Sequence, residues 1–353
     1  MIIYIFFFLV VFALLRFQQI QKVRGLNFYA LAYSLIFLFC ALRFDVGFDY
    51  AYYFELLTKQ ADFYEDKFAR IEYINQLLIG ISQKIGLPQF YFILTSFIIV
   101  ICTYKTLKRD SKDFVISSLV FLSFPIFFLN SLSIIRQYVA VCIVFYGFKF
   151  IKKRKLVPYL AIIGVAFLFH RSAVIAVVLY WLYHRKIENI YYVIIYFAGL
   201  FSSKLAYLVV AYIFPQYLQY LDRRIGTGGD KVLLFFQLIG LVLLLLVNRK
   251  KTAYENYNFY MTSFFVGLFI WSSLSPYGHA GFRGALYFMV FFMLLLPEIL
   301  DLIKERKVLK QMVYYMSFVF FIFSLWLGTK NETKDPNIPY RVFFLTDTTI
   351  YKE

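Results

Sequence analysis

Apolar runs of membrane-crossing length recur along the whole of this 353-residue chain, parted by short charged linkers. A helix rises about 1.5 Å per residue, so a hydrocarbon layer of about 30 Å needs about 20 apolar residues, or roughly 17 where flanking side chains snorkel. That rule places spans near 1–15, 28–42, 88–104, 114–130, 134–150, 156–170, 172–183, 190–214, 232–247, 258–275, 283–303 and 311–328. Hydrophobic residues make up 62% of the chain, with 45 Phe and 31 Tyr, which is too apolar for a surface solvated by water. The expectation is an all-α, polytopic transmembrane bundle of about 12 spans, with 1–353 forming a single integral membrane domain. The first run has no basic region before it and no small-residue cleavage site ahead of Arg16, so it reads as a retained span. The short run 172–183 either borrows flanking residues or forms a broken helix.

The net charge of +17 has a topological explanation. The linkers 16–27, 105–113, 149–155, 184–189, 248–257 and 304–310 hold more than half of the 37 Lys and Arg and fall on one side of the membrane. By the positive-inside rule that side is cytoplasmic, which leaves both termini outside. No aromatic-basic strip or binding motif accompanies the charge, so no nucleic-acid partner is expected. Segment 71–87 decides the count. Ile71, Ile74, Leu77, Leu78 and Ile81 recur at helical spacing, but Glu72, Asn75, Gln76, Gln83 and Lys84 interrupt them. Counting it as a span would invert every later linker. It therefore reads as an amphipathic helix on the outer surface, within an external loop 43–87; a second external loop covers 215–231. Cys40, Cys102 and Cys142 all sit in apolar segments at no paired spacing, which implies neither disulfides nor thiolate chemistry.

The informative residues are charges that anchoring does not explain. Arg136 lies just inside the 134–150 run, on the less basic side, after the polar Asn130, Ser131 and Ser133 and beside Gln137. An interfacial anchor is the plain alternative; its position against the charge bias favours function. His170 and Arg171 form a second polar point between apolar runs, where the histidine serves as general base or as a hydrogen-bonding helix end. In the third, Pro276, Gly278, Gly281 and Gly284 are expected to break a helix around His279, and Arg283 opens the next span. Arg43, Arg136, Arg171, Arg223, Arg224 and Arg283 are thus candidates to line an outward cleft opposite Asp45, Asp49 and Glu72. Guanidinium groups hold diphosphate oxygens bidentately without a metal, and a carboxylate or histidine can deprotonate a sugar hydroxyl. Such a cleft suits transfer from a lipid-linked anionic donor, and equally transport of an anion. No Walker loop, dinucleotide fingerprint, HExxH, nucleophile elbow or metal-ligand cluster competes, so no metal or cofactor is expected.

The run Arg43-Phe44-Asp45-Val46-Gly47-Phe48-Asp49-Tyr50 with Tyr53, and Glu72 downstream, resembles the N-terminal signature of the EpsG family, a branch of the Wzy-like exopolysaccharide and O-antigen polymerases. Ile135-Arg136-Gln137-Tyr138-Val139-Ala140, Phe169-His170-Arg171-Ser172-Ala173, Phe282-Arg283 and Ile338-Pro339-Tyr340 continue the resemblance in order. The resemblance implies a fold like that of metal-independent, lipid-donor (GT-C-like) membrane glycosyltransferases. It implies polymerisation of undecaprenyl-diphosphate-linked oligosaccharide units, for exopolysaccharide, capsule or O-antigen, outside the bacterial cytoplasmic membrane. The bilayer, a flippase and a chain-length co-polymerase would be its partners. On this reading Arg136 and Arg283 hold the donor diphosphate, Asp49 is the candidate base and His170 its rival. Arg43 supports the site or the loop, and Asp45 and Glu72 orient the loop or bind sugar. Tyr50, Tyr53 and Tyr340 contact glycan or anchor the chain at the interface; Arg171, Arg223, Arg224 and His279 complete the substrate-binding set. An O-antigen ligase-like transferase, a flippase or transporter for the same lipid-linked sugar, and a non-catalytic synthase component are the alternatives. The concentration of unusual charge on one side favours catalysis over transport.

Overall fold

The computed structural model describes residues 1–21, 26–62, 64–183, 185, 187–213, 215, 218, 230–246, 255–303, 306–330 and 336–346. Helix dominates it, as the apolar runs require. The helices are α1 Ile2–Gln21, α2 Phe28–Ala41, α3 Tyr50–Leu57, α4 Tyr64–Ala69, α5 Tyr73–Ile85, α6 Gln89–Asp110, α7 Phe114–Ser123, α8 Phe128–Ser133 and α9 Ile135–Lys152. They continue with α10 Leu156–Phe169, a 3-10 stretch Arg171–Val178, α11 Leu179–Tyr183, α12 Asn189–Phe201, α13 Ser203–Ile213 and α14 Asp230–Leu246. After these come α15 Glu255–Leu274, α16 His279–Met289, α17 Phe292–Leu302 and α18 Arg306–Gly328.

Helix length and composition bear out part of the expectation of about 12 spans. Among the described residues, Ile2–Ile20, Gln89–Asp110 and Lys307–Gly328 are long and apolar enough to cross a membrane by length and composition. The run expected at 190–214 is instead two helices, α12 and α13, meeting at 82°, and 283–303 is a pair bent by 49° with Pro297 inside its second member. Counting each bent pair as one span gives 5. Other runs make shorter apolar helices: α2 has 14 residues, a length of about 21 Å. The run 114–130 is interrupted between Ser123 and Phe128, next to Pro125. The short run 172–183 is indeed broken, 3-10 through Val178 and α-helical afterwards.

The chain contacts divide into two compact units. In the first (Met1–Gly147, Ala161–Ala173, Leu296–Glu353), α1 packs on α2 and α7, α2 on α6, and α7 on α18. Aromatic rings fill this core: Phe7 stacks on Phe39 at 4.1 Å, and Phe39 on Tyr340 at 4.1 Å. At one end, residues 341–342 pair antiparallel with residues 43–44, Arg43 opposite Val342. At the other end, Lys310 of α18 and Gln19 of α1 meet Asp113, which caps α7 by accepting from the Val115 and Ile116 N–H groups. The first unit therefore carries the C-terminal ends of α2 and α18 at one end and the α1 to α18 basic turns at the other. Its outward faces are apolar, with Phe6, Leu9, Met312, Met316 and Phe323 exposed, as lipid contact requires.

In the second unit (Phe148–Leu160, Val174–Leu295), α15 is central, contacting α12, α13, α14 and α16. Small residues set the closeness. A Cβ at Gly199 would lie 3.0 Å from the Phe269 Cα, and one at Gly281 would lie 2.8 Å from the Trp271 carbonyl oxygen.

Candidate functional site

The outer loop after α2 is folded by a few exacting contacts. Asp45 takes a left-handed conformation (φ 52°), which Asp tolerates better than most residues. Gly47 follows at φ 102°, and a Cβ there would sit 2.0 Å from the Leu132 carbonyl oxygen. The Phe48 N–H then donates to Ser133 Oγ at 3.2 Å, tying this loop to the α8 end. Arg43 is wholly enclosed. Its guanidinium donates to the Val46 carbonyl at 3.3 Å, to Ser96 Oγ at 3.1 Å and to the Cys40 carbonyl. Arg43 thus builds the loop, which is one of the two roles expected of it. Tyr50 is also enclosed, donating to Gln89 Oε1 at 3.2 Å and stacking on Phe92 at 4.2 Å, so its ring faces protein rather than solvent.

Arg136 is the second residue of α9, and a cation at a helix N-terminus opposes the helix dipole. Its compensation comes from Glu72, whose Oε2 accepts from Arg136 Nη1 at 2.5 Å. Arg136 Nε donates to the Tyr53 hydroxyl, and the guanidinium lies 5.8 Å from the Tyr53 ring centroid. Glu72 occupies the N-cap position of α5 without capping it; the carboxylate turns to Arg136 and, at 3.4 Å, to the Arg171 N–H. The Arg136 and Glu72 side chains are 23% and 10% exposed, so the pair is shielded yet reachable. Asp49 precedes α3 and acts electrostatically on Tyr53. Burial pushes the Tyr53 phenol above its ordinary range, Arg136 opposes the rise and Asp49 adds to it, so the phenol stays protonated.

The helix α5, which carries Glu72 at its N-cap, is fixed by a residue outside the candidate set. Asn75, one turn along α5 and fully buried, donates to the Phe169 carbonyl at 2.8 Å and accepts from the Tyr91 hydroxyl at 3.1 Å. Tyr91 in turn stacks on Tyr53 at 5.3 Å. The α10 terminus is thereby fixed where the chain changes to a 3-10 stretch of 8 residues, an unusual length that commonly marks functional geometry. His170 sits at this change, its Nδ1 2.6 Å from Ser172 Oγ, while the Arg171 side chain is exposed. The sequence signal for Asn75 is an amide among several polar residues of an amphipathic helix, which does not single it out.

The remaining candidates separate. Asp45 faces Arg341 at 3.5 Å and so joins the first outer loop to residues 336–346, while Tyr340 donates to the Phe39 carbonyl of α2 at 2.7 Å. Arg341 was not foreseen. His279 and Arg283 belong to α16 in the second unit. Pro276 and Gly278 do interrupt the chain there, but Gly281 and Gly284 lie inside α16 and bring it close to α15, so close helix packing explains them. His279 opens that helix rather than sitting in a break. Arg223 and Arg224, with most of loop 215–231, fall outside the described residues.

An all-α membrane protein with a shielded arginine–carboxylate–phenol cluster at the helix ends of one unit is the class these observations define. The chain belongs to the EpsG family, whose model matches residues 26–342. That family stands in the general context of Wzy-like polymerases and implies, in general terms, a polysaccharide polymerase-type function. No curated protein and no solved structure gives a significant match.

Proposed function

We propose that this protein is a membrane glycosyltransferase that polymerises undecaprenyl-diphosphate-linked oligosaccharide units on the outer side of the bacterial cytoplasmic membrane. The carrying observation is Arg136, a shielded cation set against the charge bias of its helix end and held by Glu72 and Tyr53. Nη1 and Nε are committed to these partners, and the guanidinium has one further nitrogen with which to meet a phosphate oxygen. Arg171, whose backbone N–H meets Glu72 and whose side chain is exposed, adds a second cation in the same unit. In the reaction an acceptor hydroxyl attacks the anomeric carbon of the donor, its proton passing to Asp49 or His170. The bond from that carbon to the diphosphate oxygen breaks, and undecaprenyl diphosphate leaves with its charge countered by Arg136. Arg283, from its place in the family motif, is proposed for the same donor group. Arginines alone neutralise the leaving group, so the transfer is proposed to need no metal. A flippase supplying units and a co-polymerase setting chain length are the proposed partners.

The test is reconstitution in liposomes with a defined lipid-linked repeat unit and no nucleotide sugar, with products resolved by size. A ladder of lengthened glycans is expected, unchanged by EDTA. Arg136→Ala is expected to lower turnover at least about a hundredfold, in line with loss of one transition-state donor. Movement of the lipid-linked unit across the bilayer without bond formation, or single transfer to an unrelated acceptor, would overturn polymerisation. Arg283→Ala is assayed alongside; full activity in both variants removes the arginines from the donor site.

A further inference from the structure

The end of the first unit that carries the basic turns of α1 and α18 holds a cavity unrelated to Arg136. It has a volume of about 380 Å³ and is lined by Arg16, Gln19, Lys307, Lys310, Gln311 and Tyr314. Three of these are cations, and among the described residues Asp113 is the carboxylate that meets one of them. Asp113 is committed: it takes Lys310 Nζ at 2.8 Å and Gln19 Nε2 at 3.3 Å, and it accepts the Val115 and Ile116 N–H groups at 3.1 and 3.2 Å. It therefore neutralises Lys310 and, among the described residues, leaves Arg16 and Lys307 to the cavity. Arg16 meets neutral partners only among those described, donating to Gln19 and to the Tyr314 hydroxyl at 3.3 Å with its guanidinium 4.7 Å from the Tyr314 ring centroid. Lys307 is exposed at the rim.

A guanidinium, an ammonium, an amide and a phenol around one cavity are the groups that recognise a phosphate anion. The surface leading away from the rim says what the phosphate is attached to. Val308, Met312, Met316, Val319 and Phe323 are all exposed and follow one another at helical spacing along α18, forming an apolar stripe that starts at the cavity. A charged pocket continuous with a lipid-facing stripe fits an amphiphile.

We propose that this cavity binds the phosphate headgroup of an anionic membrane phospholipid, whose acyl chains lie along α18. The site is separate from the glycan-transfer cluster, and its occupancy does not depend on the polymerase reading. It also gives the charge at this end a role beyond orientation, because Arg16 and Lys307 discriminate a net negative headgroup from a zwitterionic one.

Purified protein is exchanged into detergent with dioleoyl-phosphatidylglycerol, with dioleoyl-phosphatidylcholine, or with inorganic phosphate alone, and retained lipid is counted by native mass spectrometry. The wild type is expected to retain phosphatidylglycerol over phosphatidylcholine, and Lys307→Gln to weaken that retention about fivefold, the effect of one cation near a membrane surface. Arg16→Gln is expected to weaken it at least as much, with Arg16→Lys intermediate. Lys307 is a rim residue, so its variant reports on binding even if the Arg16 variants unfold. Equal retention by Lys307→Gln and wild type, or no preference between the two lipids, would sink the proposal. Displacement of phosphatidylglycerol by millimolar inorganic phosphate would show a soluble anion site and overturn the lipid assignment.

Discussion

Arg136 and Glu72 are 64 residues apart in sequence and share a hydrogen bond of 2.5 Å. Breaking a shielded ion pair strands the surviving charge, so each single alanine substitution is expected to be damaging, while removing both relieves the stranded partner. A double-mutant cycle on thermal unfolding in detergent should give a coupling of about 1–3 kcal/mol. Additive effects would mean that the pair does not exist in the membrane. Gly47 makes a second test at this scale. Its φ of 102° costs a non-glycine residue about 1–3 kcal/mol, before the overlap with the Leu132 carbonyl is counted. Gly47→Ala should lower the monodisperse yield and the melting temperature; wild-type behaviour would show that the loop does not adopt this turn. Each charge was legible alone, because arginine and glutamate among apolar runs stand out. Their pairing was not, since nothing in local periodicity brings Glu72 to the start of α9.

The helix α5 shows what periodicity conveys and what it leaves open. Its existence over 73–85 and its amphipathic character were legible. Which side faces the protein was not. Tyr73, Leu77 and Ile85 are exposed, whereas the buried stripe is Asn75, Ile79 and Ser82. Ile79 joins the core on the same side as Asn75, while Tyr73, Leu77 and Ile85 stay outside, so the amide finds its partners inside. Asn75→Ala is therefore expected to destabilise by about 1–3 kcal/mol through the orphaned Phe169 carbonyl and Tyr91 hydroxyl. Leu77→Ala should cost less despite removing more apolar surface. Thermal unfolding of the two variants in one detergent compares them directly, and the reverse order would contradict this orientation. The apolar runs likewise announced helices without announcing breaks such as the 82° corner between α12 and α13, which no proline marks.

Across the first unit, the ends sort as the basic linkers anticipate: Arg16, Asp113 and Lys310 gather at one, and residues 43–44 meet 341–342 at the other. Cysteines introduced at Asp62 or Lys330 should react with an impermeant maleimide in intact cells, and one at Lys112 only after the membrane is opened. Labelling of Lys112 in intact cells would invert the orientation. The pairing of residues 43–44 with 341–342 could not be read in advance, because two-residue strands carry no periodic signal. It is reinforced by the Gly47 N–H donating to the Pro336 carbonyl at 2.5 Å, by Phe343 N–H on Leu42 at 2.8 Å and by Tyr4 on the Asn337 carbonyl at 2.7 Å. There is a consequence for biogenesis. The loop carrying Asp45 and Asp49 leaves the ribosome before residues 336–343, which fasten it, are made, so the helices between them are inserted before that loop can close. A ribosome stalled short of residue 336 would leave an inserted bundle whose first outer loop is still untied.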